Sequence, residues 1–270
     1  MRSNPPDRTP GPPELVEALE RVRPRLQGLA ASLYFFPTIG STNDVAMSHA
    51  SEGVVVLADE QTAGRGRRGH SWFSPPGSGL YASVVLAPAR ARTDPQRAMK
   101  LLTLAAGVGI ADGIHAATGL TTSLKWPNDI YVAQRKLAGI LAEGSGHPGS
   151  LVVVGYGINV APAAYPPELR DHATSLESEL GRPIDRFLVL AETLAAVASR
   201  YHDLLEGRFD AILDAWRRRA RGASGARVSW TQPSGQLTGV TAGIDEEGAL
   251  LVRVSNGVER IVAGELTWLS

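Results

Sequence analysis

Hydrophobic positions along this chain fall into two rhythms, and the switches between them mark out its parts. Helical spacing runs through Glu14–Arg25 (Leu15, Val16, Leu19, Val22), Asp94–Thr118 (Met99, Leu101, Leu102, Leu104, Ala105, Val108, Ile110), Asp185–Leu205 and Phe209–Arg219. Short apolar runs at Leu33–Phe36, Gly53–Ala58, Gly79–Leu86, Leu124–Val132, Lys136–Glu143 and Leu151–Val160 read as strands. Tight turns separate the last three, which predicts an antiparallel meander within a mixed sheet rather than a βαβ series. Ala105, Ala106, Gly107 and Gly109 would let the long helix pack closely on that sheet. A short helix is expected over Asp44–Ala50, after Ser41-Thr42-Asn43, all good N-cap types. The pattern alone favours capping for these three over the alternative, a polar pocket lined by their side chains. Ala161–Pro167 reads as a Pro-rich loop, and Arg217–Arg221 closes the last helix where cations suit its C-terminus.

Past a linker at Gly222–Gly225, short strands alternate with turn signals at Pro233–Gly235, Asp245–Gly248 and Ser255–Gly257, the rhythm of a small SH3-like β-barrel. The predicted organisation is a Pro-rich, disordered tail and leading helix over residues 1–30, an α+β domain over 31–222 whose mixed/antiparallel sheet is flanked by helices, and the barrel over 226–270.

Composition narrows the function classes. Lys+Arg and Asp+Glu are both 27 in 270 residues, so no global field draws the chain onto nucleic acid or an anionic membrane. Cysteine is absent, which excludes disulfides, thiolate metal sites and a cysteine nucleophile. No uninterrupted apolar run approaches the roughly 20 residues of a membrane helix, and the N-terminus lacks the apolar core of a signal peptide. A cytoplasmic enzyme is the default expectation. Only three of the 27 basic residues are lysines (Lys100, Lys125, Lys136), so a retained lysine draws notice for its compact, tunable ammonium.

Chemistry concentrates in Glu60–Ser78, where Gly64, Gly66 and Gly69 interleave with Arg65, Arg67 and Arg68 ahead of Trp72. Glycines at positive φ would turn successive N–H groups into one concavity, arginines would grip phosphate or carboxylate, and the indole would stack on a base. A flexible basic turn is the plain alternative. The literal G-x-G-x-x-G invites a dinucleotide reading, but Pro75-Pro76-Gly77 forbids the helix that must follow, and no acid stands about 20 residues on. A second cluster, Lys125-Trp126-Pro127-Asn128-Asp129, packs a cation, an amide and a carboxylate into a turn. Lys136 then opens an apolar strand, where its ammonium could face an anion with little competing water.

Taken together, Gly64–Gly69, Lys125–Asp129, Lys136–Leu141 and Gly155-x-Gly-Ile-Asn159, with Ser41–Asn43 and Gln61–Ala63 upstream, resemble the motifs of biotin–protein ligases, in their order. The resemblance covers Leu33 to the end and looks like the short monofunctional bacterial form, since the region before the core is too short for the DNA-binding domain of repressor-type ligases. It implies the biotin ligase catalytic fold, related to class II aminoacyl-tRNA synthetases. It implies ATP, Mg²⁺ and biotin as ligands, a biotin carboxyl carrier protein as partner, and no DNA or membrane; a homodimer through the sheet is compatible with it. The reaction implied runs in two steps, through biotinyl-5′-AMP to a carrier lysine. By position Ser41, Thr42, Asn43, Gln61, Arg65, Gly66, Arg67 and Lys136 resemble the biotin contacts, with Arg65, Arg67 and Lys136 supplying catalytic charge. Trp72 resembles the aromatic that stacks on adenine, Lys125, Asn128 and Asn159 other nucleotide contacts, and Asp129 a Mg²⁺-side group. His70 departs from the arginine common at its place, which implies weaker or more pH-dependent nucleotide binding. The glycine loop is expected to be disordered without ligand and to close over the adenylate. A lipoate–protein ligase is the nearest rival, and an Arg-rich nucleic-acid module the rival from another class.

Overall fold

The computed structural model describes residues 11–49, 51–144, 151–163, 165–232, 235–264 and 266–269. The Pro-rich stretch 1–10, Ala50 and the Pro233-Ser234 turn, on which expectations were placed, lie outside the described residues.

Two sheets carry the chain. The larger has seven strands: β1 (Ser32–Ile39), β2 (Val54–Gln61), β3 (Gly79–Leu86), β4 (Ser123–Lys125), β5 (Asp129–Val132), β6 (Arg135–Gly144) and β7 (Val152–Asn159). Their spatial order is β1-β2-β3-β7-β6-β5-β4, with β1 and β2 parallel and every other pair antiparallel. The mixed sheet and the meander are as the pattern predicts. The run Leu124–Val132, however, is not one strand. Trp126-Pro127-Asn128, with a cis Trp126–Pro127 bond, folds it into the hairpin β4–β5, pairing Lys125 with Asp129.

Helices α1 (Pro13–Val22), α3 (Pro95–Thr118), α6 (Arg186–Leu205) and α7 (Phe209–Arg219) contribute to the core, while α2 (Thr42–His49) lies beside β2, β3 and β7. The apolar stripe of α3 is buried from Leu101 to Ile114, as its spacing requires. Its small residues serve two neighbours: a Cβ on Gly107 would meet Ile140 Cδ1 and Leu124 Cδ2 of the sheet at 3.5 and 3.7 Å, as expected. A Cβ on Gly113 would fall 2.3 Å from Thr193 Cα, and one on Gly109 2.8 Å from Val197 Cα, so these two glycines bring α3 against α6 instead. By length and composition α3 could cross a membrane, but most of it is buried inside the protein. Short helices α4 (Pro167–Arg170) and α5 (Leu176–Leu180) follow the Pro-rich loop, where the pattern assigned no element; Ser175 caps α5 by accepting from Ser178 N–H, and Gly181 ends it at φ 66°.

The smaller sheet is antiparallel, ordered β11-β10-β9-β8-β12, from β8 (Ser224–Gln232), β9 (Gly235–Ile244), β10 (Leu250–Val254), β11 (Gly257–Ile261) and β12 (Leu266–Trp268). Its β9–β10 turn sits on α3: Lys100 pairs with Glu247 at 2.5 Å, Arg97 Nε donates to Glu246 O, and Leu101 and Leu104 fill the space beside Gly248. Trp126 is buried and its Nε1 donates to Gly248 O at 2.9 Å, tying the β4–β5 turn to the smaller sheet.

Candidate active site

The site is built where β2, β6 and β7 meet α2 and the Gly/Arg loop. The cleft there is about 290 Å³. Its lining includes Ser41, Thr42, Asn43, Gln61, Arg65, Gly66, Arg67, Trp72, Lys125, Asn128, Asp129 and Lys136, so twelve of the thirteen residues singled out in the sequence converge. The thirteenth, Asn159, lines a neighbouring cavity of about 300 Å³ with Phe73, Tyr165, Leu169, His172 and Ala173. His70, Ser71, Trp72, Tyr131 and Lys136 border both cavities.

The wall around Ser41–Asn43 is a polar network. Gln61 Oε1 accepts from Thr42 N–H at 2.9 Å and from Thr42 Oγ1 at 3.1 Å, while Gln61 Nε2 donates to Ser74. Ser83 Oγ stands 2.6 Å from Asn43 Oδ1 and 2.8 Å from Thr42 Oγ1, and its single proton serves one at a time. Asn43 Nδ2 donates to Glu143 at 2.6 Å. Ser41, Thr42 and Asn43 are all buried. The pattern favoured capping; the structure instead gives Thr42 and Asn43 to this network, because β2, β3 and β6 bring Gln61, Ser83 and Glu143 beside the start of α2.

Glycines on the sheet make room for two of these groups. A Cβ on Gly155 would lie 2.1 Å from Asn43 Oδ1, and one on Gly157 would lie 2.2 Å from Trp72 Nε1. Gly139 also lies under the indole. The Gly-x-Gly of β7 is therefore a shelf on which an amide and an indole rest against the backbone.

The Gly/Arg loop forms a small hairpin. Trp72 N–H donates to Gly64 O, Gly66 N–H to His70 O and His70 N–H to Arg67 O, and Arg65 bridges Ser71. Of the three glycines only Gly69 has positive φ (80°); the other left-handed residue there is Arg68 (φ 54°). Gly64 is needed for space, since a Cβ would meet Trp72 O at 2.6 Å. The expected cradle of inward N–H groups is thus corrected at Gly66 and His70, whose N–H groups are spent within the loop.

The cations differ in how they are held. Lys136 Nζ lies 2.7 Å from Asp129 Oδ1 across β5–β6 and 5.4 Å from the Trp72 ring centre. Lys125 Nζ sits 4.8 Å from the Tyr131 ring and 5.4 Å from the Trp268 ring, and burial pushes its pKa below the ordinary 10.5. Arg65 pairs with Glu143 (2.9 Å) and Asp44 (2.6 Å), which raise its pKa. The Arg67 guanidinium meets Asn128 Oδ1 at 3.4 Å; burial, with Arg68 adding and Asp129 opposing, lowers its pKa, and no ion pair among the described residues involves it. Asn128 is fixed to β6, its Nδ2 donating to Ile140 O and its carbonyl accepting from Ile140 N–H. Asn159 is held by a bond from Nδ2 to Thr174 O.

Sequence reasoning missed Tyr131, Leu266 and Trp268 in the first cavity, Glu143, which bonds Asn43 and Arg65 of its wall, and Phe73, Tyr165 and His172 in the second. Phe73 lay inside a motif already marked. Nothing local in the sequence marks Trp268, which reaches the cleft from the far end of the chain.

Residues 35–159 match the Biotin/lipoate A/B protein ligase family, and residues 223–266 match the Biotin protein ligase C terminal domain. The chain is 36% identical to a biotin–[acetyl-CoA-carboxylase] ligase of Paracoccus denitrificans, over 84% of this chain and 96% of that protein. The chain belongs to the biotin–protein ligase family. It is 35% identical to the Bacillus subtilis bifunctional ligase/repressor BirA, over 94% of this chain and 79% of that one. Among solved structures, the biotin protein ligase from Aquifex aeolicus in complex with biotin and ATP superposes with a TM-score of 0.77 at 30% identity, over 88% of this chain and 99% of that one. The biotin ligase catalytic fold expected from the motifs is therefore the fold of this ligase.

Proposed function

We propose that this ligase activates biotin with ATP, forming biotinyl-5′-AMP, and passes the biotinyl group to a lysine of a carboxylase's biotin carboxyl carrier domain. The observation that carries the assignment of roles is the pair of adjoining cavities with Lys136 and Trp72 between them. The cavity lined by Ser41, Thr42, Asn43 and Gln61 offers fixed amide and hydroxyl groups for a ureido ring. The one lined by Asn159 and Tyr165 takes the base, with the Trp72 indole available for stacking.

A carboxylate oxygen of biotin attacks the α-phosphorus, the bond to the bridging oxygen breaks and pyrophosphate leaves. Both reactants are anionic, so their approach needs positive charge fixed in advance at the junction. Lys136 stands there, and Arg67 on the loop is half-buried and makes no ion pair among the described residues, with Asp129 attracting it only from beyond pairing distance. In the second step an acceptor lysine, as the free amine, attacks the anhydride carbonyl carbon; AMP leaves and the amine loses its proton to solvent. The adenylate hydrolyses in water, and the loop carrying Arg65–Trp72 is placed to cover it.

No group of three metal-ligating side chains exists among the described residues. A hydrated Mg²⁺ carried on nucleotide phosphates needs only one or two carboxylates, and Asp129 fits that part, at the cost of sharing with Lys136. When bound, the ion would offset phosphate charge. Dependence on ATP and on a carboxylase partner supports a cytoplasmic location.

The test combines the protein, ATP, Mg²⁺ and a carrier domain with biotin or lipoate, and reads the acceptor's mass together with pyrophosphate release. Biotin addition alone is expected. Lipoate addition, or none, would refute the reading.

A further inference from the structure

We infer that Glu143 makes Arg65 a latch that holds the biotin pocket in shape, so that Arg65 is a positioning residue and not one of the cations that meet the reacting anions. The inference rests on the biotin reading of the cleft.

Glu143 lies near the end of β6, seven residues after Lys136. One of its oxygens, Oε2, receives both Asn43 Nδ2 (2.6 Å) and Arg65 Nη2 (2.9 Å), and the other arm of Arg65 reaches Asp44 Oδ1 at 2.6 Å. A single guanidinium thus joins three parts of the pocket: the start of α2, the end of β6 and the root of the loop. The two arms are unequal. The Asp44 side chain is 62% exposed, so that pair is screened and contributes little. Glu143 is less exposed and also anchors the Nδ2 of buried Asn43, which otherwise has only Leu141 O at 3.5 Å among the described residues, while its Oδ1 takes the Ser83 hydroxyl.

Charge decides between latch and clamp. Arg65 carries one positive charge against two carboxylates, so the cluster is net negative and offers no attraction to an incoming phosphate. An anion would have to displace Glu143, and Asn43 Nδ2 would lose its shorter hydrogen bond in the same event. Arg67 has no such obligation. The two arginines of Gly64-Arg65-Gly66-Arg67 therefore divide the work, the first holding the pocket and the second facing the anions.

Steady-state kinetics of wild type, Glu143→Gln, Arg65→Lys and the double variant test this. Glutamine still accepts from Asn43 but weakens the hold on Arg65. Each single change is expected to raise the KM for biotin about tenfold, with kcat at saturating biotin and the KM for ATP within about twofold of wild type. The double variant should be no worse than the poorer single one, because both remove the same link. Glu143→Asp, which keeps the charge, should recover part of the loss. An unchanged biotin KM in Glu143→Gln would overturn the inference. So would a lower ATP KM or a higher kcat there, the signature of a catalytic cation released from a carboxylate, and so would effects that simply multiply in the double variant. Failure of the wild type to biotinylate would instead overturn the parent reading.

Discussion

Replacing Gly157 by alanine isolates the contact between sheet and indole. The new methyl would stand 2.2 Å from Trp72 Nε1, 2.4 Å from Cε2 and 2.9 Å from Cζ2. Ordinary contact begins near 3.4 Å, so the ring must shift by more than about 1 Å or the sheet must yield. The strand has no freedom to do so, since Gly157 is buried and paired on both sides with Tyr81 and Gly139. Trp72 has some, being only partly buried on a loop. The indole therefore lifts, and the overpacking cost of about 1–3 kcal/mol falls mainly on the site rather than on the fold. Stacking of a base on an aromatic is worth about 1–3 kcal/mol, so ATP affinity should fall roughly 5- to 150-fold. Titration with a non-hydrolysable ATP analogue measures this, biotin affinity and melting temperature serve as controls, and tryptophan fluorescence reports the displaced ring. An ATP affinity within twofold of wild type in a folded variant would refute the reasoning.

Lys136→Ala should lower the rate of adenylate formation about 10²- to 10³-fold, the usual cost of losing one preorganised charge-stabilising group, as read by single-turnover pyrophosphate release. His70→Arg should tighten ATP binding about two- to fivefold, a modest gain because the position is exposed, as titration with an ATP analogue would read. Hydrogen bonds from Asn43 and Arg65 outweigh the opposing effect of burial and leave the Glu143 carboxyl below its ordinary 4.5. A lowered folded-state pKa means stability fully present above pH 4.5 and lost as pH falls through the folded value. Urea midpoints of wild type and Glu143→Gln should therefore converge as pH drops below 4.5, and parallel curves would contradict the assignment.

How far the sequence carries can be seen residue by residue. Periodicity located the long helices and the mixed sheet because each has a continuous apolar face, and charge and glycine spacing located both chemical clusters. The role of Asn43 was not legible, because a capping residue and a network residue have the same identity; what separates them is Ser83 and Glu143, 40 and 100 positions away. The glycines of the loop were read for φ when Gly64 answers to a carbonyl overhead. Trp268 joined the cleft only through the seating of the smaller sheet, which Trp126 and Gly248 fix by one hydrogen bond.

That seating bears on the electrostatics of the cleft. Lys125 sits between two aromatic rings, one from β5 and one from β12, with its ammonium already partly desolvated. Lys136 is balanced by Asp129, and Arg65 by Glu143 and Asp44. Each of these cations carries its own compensation within the protein, which keeps three positive groups in a small volume without ruinous repulsion. Arg67 and Arg68 of the loop also line the cleft and make no ion pair among the described residues, with Asp129 attracting Arg67 only from beyond pairing distance, so an entering carboxylate or phosphate gains most from them. Their place on the loop rather than on the sheet would let a motion that covers the adenylate deliver the charge as well. On the proposed closure the dry cleft and the electrostatic contribution would arrive together, so a substitution that stiffens the loop should slow adenylate formation even where every contact in the closed cleft is preserved.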